Sequence, residues 1–298
     1  MLKKLYSKAL LLLTIGTATL HAQTTTVFND SFSTSAGTSY TVANGAIGTN
    51  TTWSFSRSGA DFGTAITSGS MYMSNDGSTA GNIAGWGLGY TNTANFTTPY
   101  TTALSSNPGM VTWTFNMRQQ QANPSGFASG NYGAAFILAG TSGTTNSSGT
   151  GYAVTLGNSG KTDPLKLVSY SAGLQSTTQI LASNTTGLTD FGNTYLSVKV
   201  TYAPSTNTWQ LYVRNDGSTF IDPNIGSLTS QGTATNSTFT STALPIMGAF
   251  WNANTRSKQT ALYDNVKVTV IVPTSTSIAP PSKVAGIHCT QKFRQIYN

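Results

Sequence analysis

The sequence predicts an all-β fold, a sandwich or a barrel, on three observations. Short runs of alternating apolar and polar residues recur from Thr26 to Val272. Clusters such as "SNDGS", "GTSGTTNSSGTG" and "RNDGS" punctuate them, and no segment beyond the N-terminal leader carries a 3.6-residue apolar period. At 298 residues the chain can bury a sizeable core. Charged residues make up only 8%, but hydrophobics are 38% and aromatics 10%, so the many Ser and Thr read as solvent-facing strand positions and turns.

Taken in order, the chain begins with "MLKKLYSKALLLLTIGTATLHAQ", three lysines followed by an apolar run from Ala9 to about Leu20 and a small residue at Ala22. This has the form of a secretory signal peptide over residues 1–22, cleaved after Ala22, and its apolar run is too short to span a bilayer. The plain alternatives are a membrane anchor or a buried N-terminal helix. About a dozen strands follow: "VFNDSFS", "TTWSFSRSG", "SMYMSNDG", "GMVTWTFNMRQ", "YGAAFILAGT", "GYAVTLGN", "LKLVSYSAG", "TTQILAS", the pair in "YLSVKVTYAPSTNTWQLYVRNDG", then "LPIMGAFWNA" and "QTALYDNVKVTVIV". Their unbroken rhythm predicts one domain over residues 23–272.

In the pair, Leu196, Val198, Val200 and Tyr202 share one face and meet Trp209, Leu211 and Val213 across the hairpin. Ser197, Lys199, Thr201, Gln210 and Arg214 point to water. Pro204 sets a turn in "APSTNT", where Ser205, Thr206 and Asn207 can bond the backbone, and Gly217 in "NDG" can take positive φ. After Val272 the prolines Pro273, Pro280 and Pro281 prevent strand pairing, and residues 273–298 read as a linker and disordered tail.

The formal charge of +7 does not mark a nucleic-acid partner. Lys3, Lys4 and Lys8 lie in the leader and Lys283, Lys292 and Arg294 in the tail, leaving 9 basic against 8 acidic residues between Gln23 and Ser282. The one cysteine, Cys289, permits no internal disulfide.

Absences constrain the chemistry. The chain has no glutamate, and its two histidines, His21 and His288, lie in the leader and the tail. Paired carboxylates for glycoside hydrolysis would have to be aspartates, and none forms a close sequence pair. A Ser-His-Asp arrangement or a His-rich zinc site has no histidine to use. "FNMRQQQ" at Phe115 to Gln121 is the one concentrated polar run that a Tyr/Arg lyase could draw on, and it reads more simply as a strand end with Arg118 exposed.

A calcium ion suits the oxygen ligands present. Asp30 and Asp264, in the first and last strands, would come together if the termini pair, as a structural Ca²⁺ site; otherwise each bonds a local turn. For sugar binding, aromatic faces flanked by amide or guanidinium groups are needed. "NIAGWGLGYTNTANF" places Trp86 and Tyr90 in a Gly-rich setting that reads as a loop. "GAFWNANTRSK" follows Trp251 with Asn252, Asn254 and Arg256. Structural burial is the competing reading for both tryptophans. Trp53, Trp113 and Trp209 alternate with Ser or Thr and read as core.

The succession "MVTWTFNMRQ", "YGAAFILAG", "GYAVTLGNSGKTDPLKLVSYSAG", "YLSVKVTYAPSTNTWQLYVRNDGS", "GAFWN" and "ALYDNVKVTV" resembles the concanavalin A-like lectin/glucanase superfamily, in particular the laminin-G-like modules of exported bacterial proteins. The resemblance covers roughly Val27 to Val272. It implies a two-sheet antiparallel jelly-roll sandwich that often binds carbohydrate on a concave face or rim loops and sometimes holds calcium. The paired catalytic glutamates of its glucanase members have no counterpart here. The expectation is therefore an exported, non-catalytic module, secreted or at the cell surface, whose partner is a glycan or extracellular polysaccharide, with no membrane span once the leader is removed. A structural spacer and a polysaccharide-degrading enzyme are the alternatives.

Overall fold

A computed structural model describes residues 21–33, 37–49, 51–67, 69–75, 84–253 and 259–274. The chain divides into two units. One runs Gln23–Val272 and holds the sandwich, and the other comprises Met1–Ala22 and Pro273–Asn298, most of which lies outside the described residues. The expected leader and tail fall there.

The strands are β1 His21–Asp30, β2 Gly45–Ala46, β3 Trp53–Ser58, β4 Gly63–Thr67, β5 Ser70–Ser74, β6 Gly85–Asn92, β7 Val111–Gln119, β8 Gly133–Gly140, β9 Gly151–Leu156, β10 Lys166–Tyr170, β11 Thr177–Ala182, β12 Tyr195–Ala203, β13 Thr208–Gly217, β14 Thr229–Thr235, β15 Ile246–Ala253 and β16 Thr260–Thr274. Two 3-10 turns, Thr93–Asn95 and Leu104–Ser106, are the helical elements among the described residues.

The strands form two antiparallel sheets packed as a jelly-roll sandwich. The first sheet runs β14-β13-β12-β7-β16-β5-β4, with β1 also paired to β16, and the second runs β11-β10-β9-β8-β15-β6-β3-β2. Between them lies one apolar core. Phe115 of β7 stacks on Phe136 of β8 at 4.0 Å, and Tyr152 of β9 meets Trp209 of β13 at 4.5 Å, so the aromatic rings of both sheets interdigitate.

The register of the hairpin β12–β13 is the one its alternation predicts, but Ser197 and Thr201, expected to point to water, are buried, Ser197 beneath the loop that follows β13. Val198 faces Val213, Val200 faces Leu211 and Tyr202 faces Trp209, all buried. Asn207 takes φ 51 at the turn, where its side chain accepts a 2.7 Å hydrogen bond from the Tyr202 hydroxyl rather than from the backbone.

The strand count exceeds the dozen expected. β6 in particular replaces the loop read into "NIAGWGLGYTN", because its glycines serve packing instead of turning. Gly87 and Gly89 face the core, where a Cβ would press on Phe55 and on Met71 and Met73. Two sheets can approach closely there only because those positions are bare.

The outer face of the second sheet carries a second apolar cluster. Leu88, Ala135, Ile137, Ala153, Val168 and Phe250 rise from the strands, and Phe127 and Leu174 cover them from loops. Trp86 and Tyr90 stand at the cluster's partly buried edge, which positions the site described next.

Candidate functional site

Alternation on β6 sends Gly85, Gly87 and Gly89 inward and Trp86, Leu88 and Tyr90 outward, so the strand's bulk lies on the face away from the core. Register then sets their neighbours. Ser58 of β3 stands opposite Trp86 on one side and Asn252 of β15 on the other; Ser54 and Gly248 flank Tyr90 in the same way. The Trp86 ring stacks on Phe250 at 5.9 Å and 23°, which fixes its orientation and leaves it half-buried.

A pocket of about 230 Å³ opens at Trp86, lined by Ser58, Ser129, Asn146, Ser147 and Asn252 among others. Asn252 is 3% exposed and holds one wall in place: its Nδ2 donates to Asn131 O at 2.9 Å and Gly126 O at 3.3 Å, tying the loop between β7 and β8 to the sheet. Its Oδ1 is buried with no partner among the described residues. The Trp86 indole N–H and the hydroxyls of Ser58, Ser129 and Ser147 make no hydrogen bond within the described chain. By contrast, the Trp53 indole donates to Asp30 at 2.8 Å and that of Trp209 to Asn236 O at 2.9 Å. An amphipathic ring with an open N–H beside several free hydroxyls is suited to a polyhydroxylated ligand.

The other expected site residues separate. Trp251 sits in β15 with its ring inside the core, 1% exposed and 5.3 Å from Phe62, so it presents no face to a ligand. It points opposite to Asn252 because neighbours in a strand alternate, a consequence the stretch "GAFWNAN" contains but a reading by composition overlooks. Asn254 and Arg256 lie outside the described residues. Ser54, Ser56, Ser58, Ser129, Asn146 and Ser147 were not singled out from the sequence. The alternation in "WSFSRS" marks the β3 serines as outward-facing, but only register puts them beside Trp86.

Asp30 and Asp264 lie close enough that the charge of one acts on the other. Burial pushes the Asp264 carboxyl up to about 7; the Asn265 N–H opposes the rise, and the charges of Asp30 and Asp222 add to it. Both oxygens of Asp30 already accept hydrogen bonds, from Phe32 N at 2.7 Å and the Trp53 indole, and Asp264 Oδ1 accepts from Asn265 N at 2.6 Å. Each carboxylate is thus engaged by a nearby backbone N–H, which is the turn contact named as the alternative to a calcium site. Among the described residues no group of three or more His, Cys, Asp or Glu could hold a metal ion, and no helix is long and apolar enough to cross a membrane.

No family model and no curated protein matches the chain. Solved structures of similar fold do. Peanut lectin with a nine-residue peptide is 14% identical with a TM-score of 0.48, covering 85% of this chain and 100% of that one. The Emp47p carbohydrate recognition domain is 11% identical with a TM-score of 0.45, covering 82% and 97%. The Bauhinia forficata lectin in complex with GalNAc is 11% identical with a TM-score of 0.44, covering 87% and 100%. Likenesses at this level say nothing of a ligand for this chain.

Proposed function

We propose that the protein is an exported, non-catalytic carbohydrate-binding module that holds a glycan against Trp86 on the outer face of the second sheet. The observation that carries this reading is the inversion of β6, which sends three glycines inward and turns an indole and a phenol outward beside hydroxyls that have no hydrogen-bond partner among the described residues. Pyranose rings present C–H faces to such rings and hydroxyls to such edges. The absence of glutamate from the chain, and of histidine between Gln23 and Val272, supports holding over cutting.

A structural spacer is the rival reading, favoured by the burial of Trp251. A glycan array probed with the wild-type protein and with Trp86→Ala separates the two. Sugar binding predicts recognition of at least one glycan, weakened tenfold or more in the variant. A folded wild-type protein that binds nothing would leave the spacer standing.

A further inference from the structure

Tyr90 follows Trp86 by four residues on one strand, which puts the two side chains on the same face with their backbone positions about 13 Å apart. Leu88 lies between them but is only 2% exposed, so the two rings and not the leucine provide the surface. Beside this line runs a row of serines: Ser54, Ser56 and Ser58 are in register with Tyr90, Leu88 and Trp86 respectively. None of these three hydroxyls, nor the Tyr90 hydroxyl, makes a hydrogen bond within the described chain. On the opposite flank Tyr90 borders Gly248, where a Cβ would come within 3.0 Å of the tyrosine's own Cβ. The bare glycine accommodates the ring from that side.

A single sugar ring at Trp86 cannot reach Tyr90, and a disaccharide falls short of seating a ring on each. We propose that β6 is a track for a linear chain of pyranose sugars. One ring rests on Trp86 and another on Tyr90, with at least one ring bridging the gap between them and the β3 serines meeting their hydroxyls along one edge. This rests on the reading of Trp86 as a sugar platform and extends it from a terminal sugar to a polysaccharide segment. Once the first ring is seated, the next contacts form within one molecule, so affinity grows with chain length until both aromatics are covered.

Titration calorimetry with cello-, laminari-, xylo- and chito-oligosaccharides of one to six rings, for wild type, Tyr90→Ala and Trp86→Ala, tests the track. For whichever series binds, wild-type affinity should rise at least tenfold between the disaccharide and the tetrasaccharide. Tyr90→Ala should abolish that rise, and a far-ultraviolet circular dichroism spectrum matching wild type shows that the variant is folded. Equal affinity at every length, or an undiminished rise in Tyr90→Ala, would overturn the track while Trp86 kept its role. Undiminished binding by Trp86→Ala would overturn the Trp86 site itself, and no binding by any series would overturn both.

Discussion

Arg214 decides whether the loop after β13 stays on the first sheet. Its Nε donates to Asp216 at 2.6 Å, while its Nη2 reaches Ser197 Oγ at 2.8 Å and the Ile221 carbonyl at 3.1 Å. Asn116 of β7 completes the clamp, donating to Ser197 Oγ at 3.0 Å and Ile221 O at 3.1 Å. The Asp216 side chain has no solvent exposure, so removing the guanidinium leaves a carboxylate buried beside neutral donors. Arg214→Ala should cost about 3 kcal/mol in urea unfolding. Arg214→Lys should recover little of it, because a single ammonium cannot reproduce the planar fork. The sequence shows Arg214 on the wet side of its strand. It does not show the clamp, which draws in backbone carbonyls of a loop with no pattern of its own.

At the scale of one element, β6 shows how a strand can be mistaken for a loop. Glycine weakens a strand by ordinary propensity, and "GWGLGY" alternates glycine with bulk in a way that composition alone assigns to a flexible turn. Alternation there runs in volume instead of polarity, with the small residues inward. The hairpin β12–β13 was legible because its inward positions are large and its outward ones polar, so both cues agreed. Trp251 divides the two cues: its residue type points to binding and its parity within β15 to burial, and parity prevails. The packing argument for β6 has a direct test. A Cβ at Gly85 would overlap the Ser58 carbonyl oxygen and crowd the Phe62 ring, neither of which can move without disturbing the strand pair or the core. Gly85→Ala should therefore destabilise by about 2 kcal/mol in thermal unfolding and weaken sugar binding by displacing Trp86. Gly143→Ala, where a Cβ meets nothing within 4 Å, should leave both unchanged and serves as the control.

Over the whole molecule, the composition gives the sandwich a simple acid–base response. Between Gln23 and Val272 there is no glutamate, histidine or cysteine, so only aspartates have ordinary pKa values between the acid range and neutrality. Two of them are held up: Asp264 at about 7, by burial and the charges of Asp30 and Asp222, and Asp163 at about 6, by burial and the charge of Asp190. Asp163 has no solvent exposure, and the Asn158 N–H and the Lys166 charge only partly offset the rise that its burial causes. A carboxyl that is harder to ionise in the folded state than in the unfolded chain leaves the native protein holding more protons between the two pKa values. Stability therefore falls as pH rises from about 4, near the unfolded value, to about 7. The melting temperature should be highest near pH 4 to 5 and decline towards pH 8. Asp264→Asn keeps the acceptor for the Asn265 N–H and removes the charge, so it should raise the melting temperature at pH 8 and leave it unchanged near pH 4. Asp163→Asn should do the same over a window ending near pH 6. With both substitutions the decline should largely vanish, and a double variant that melts along the wild-type pH profile would show that these two carboxyls do not set it.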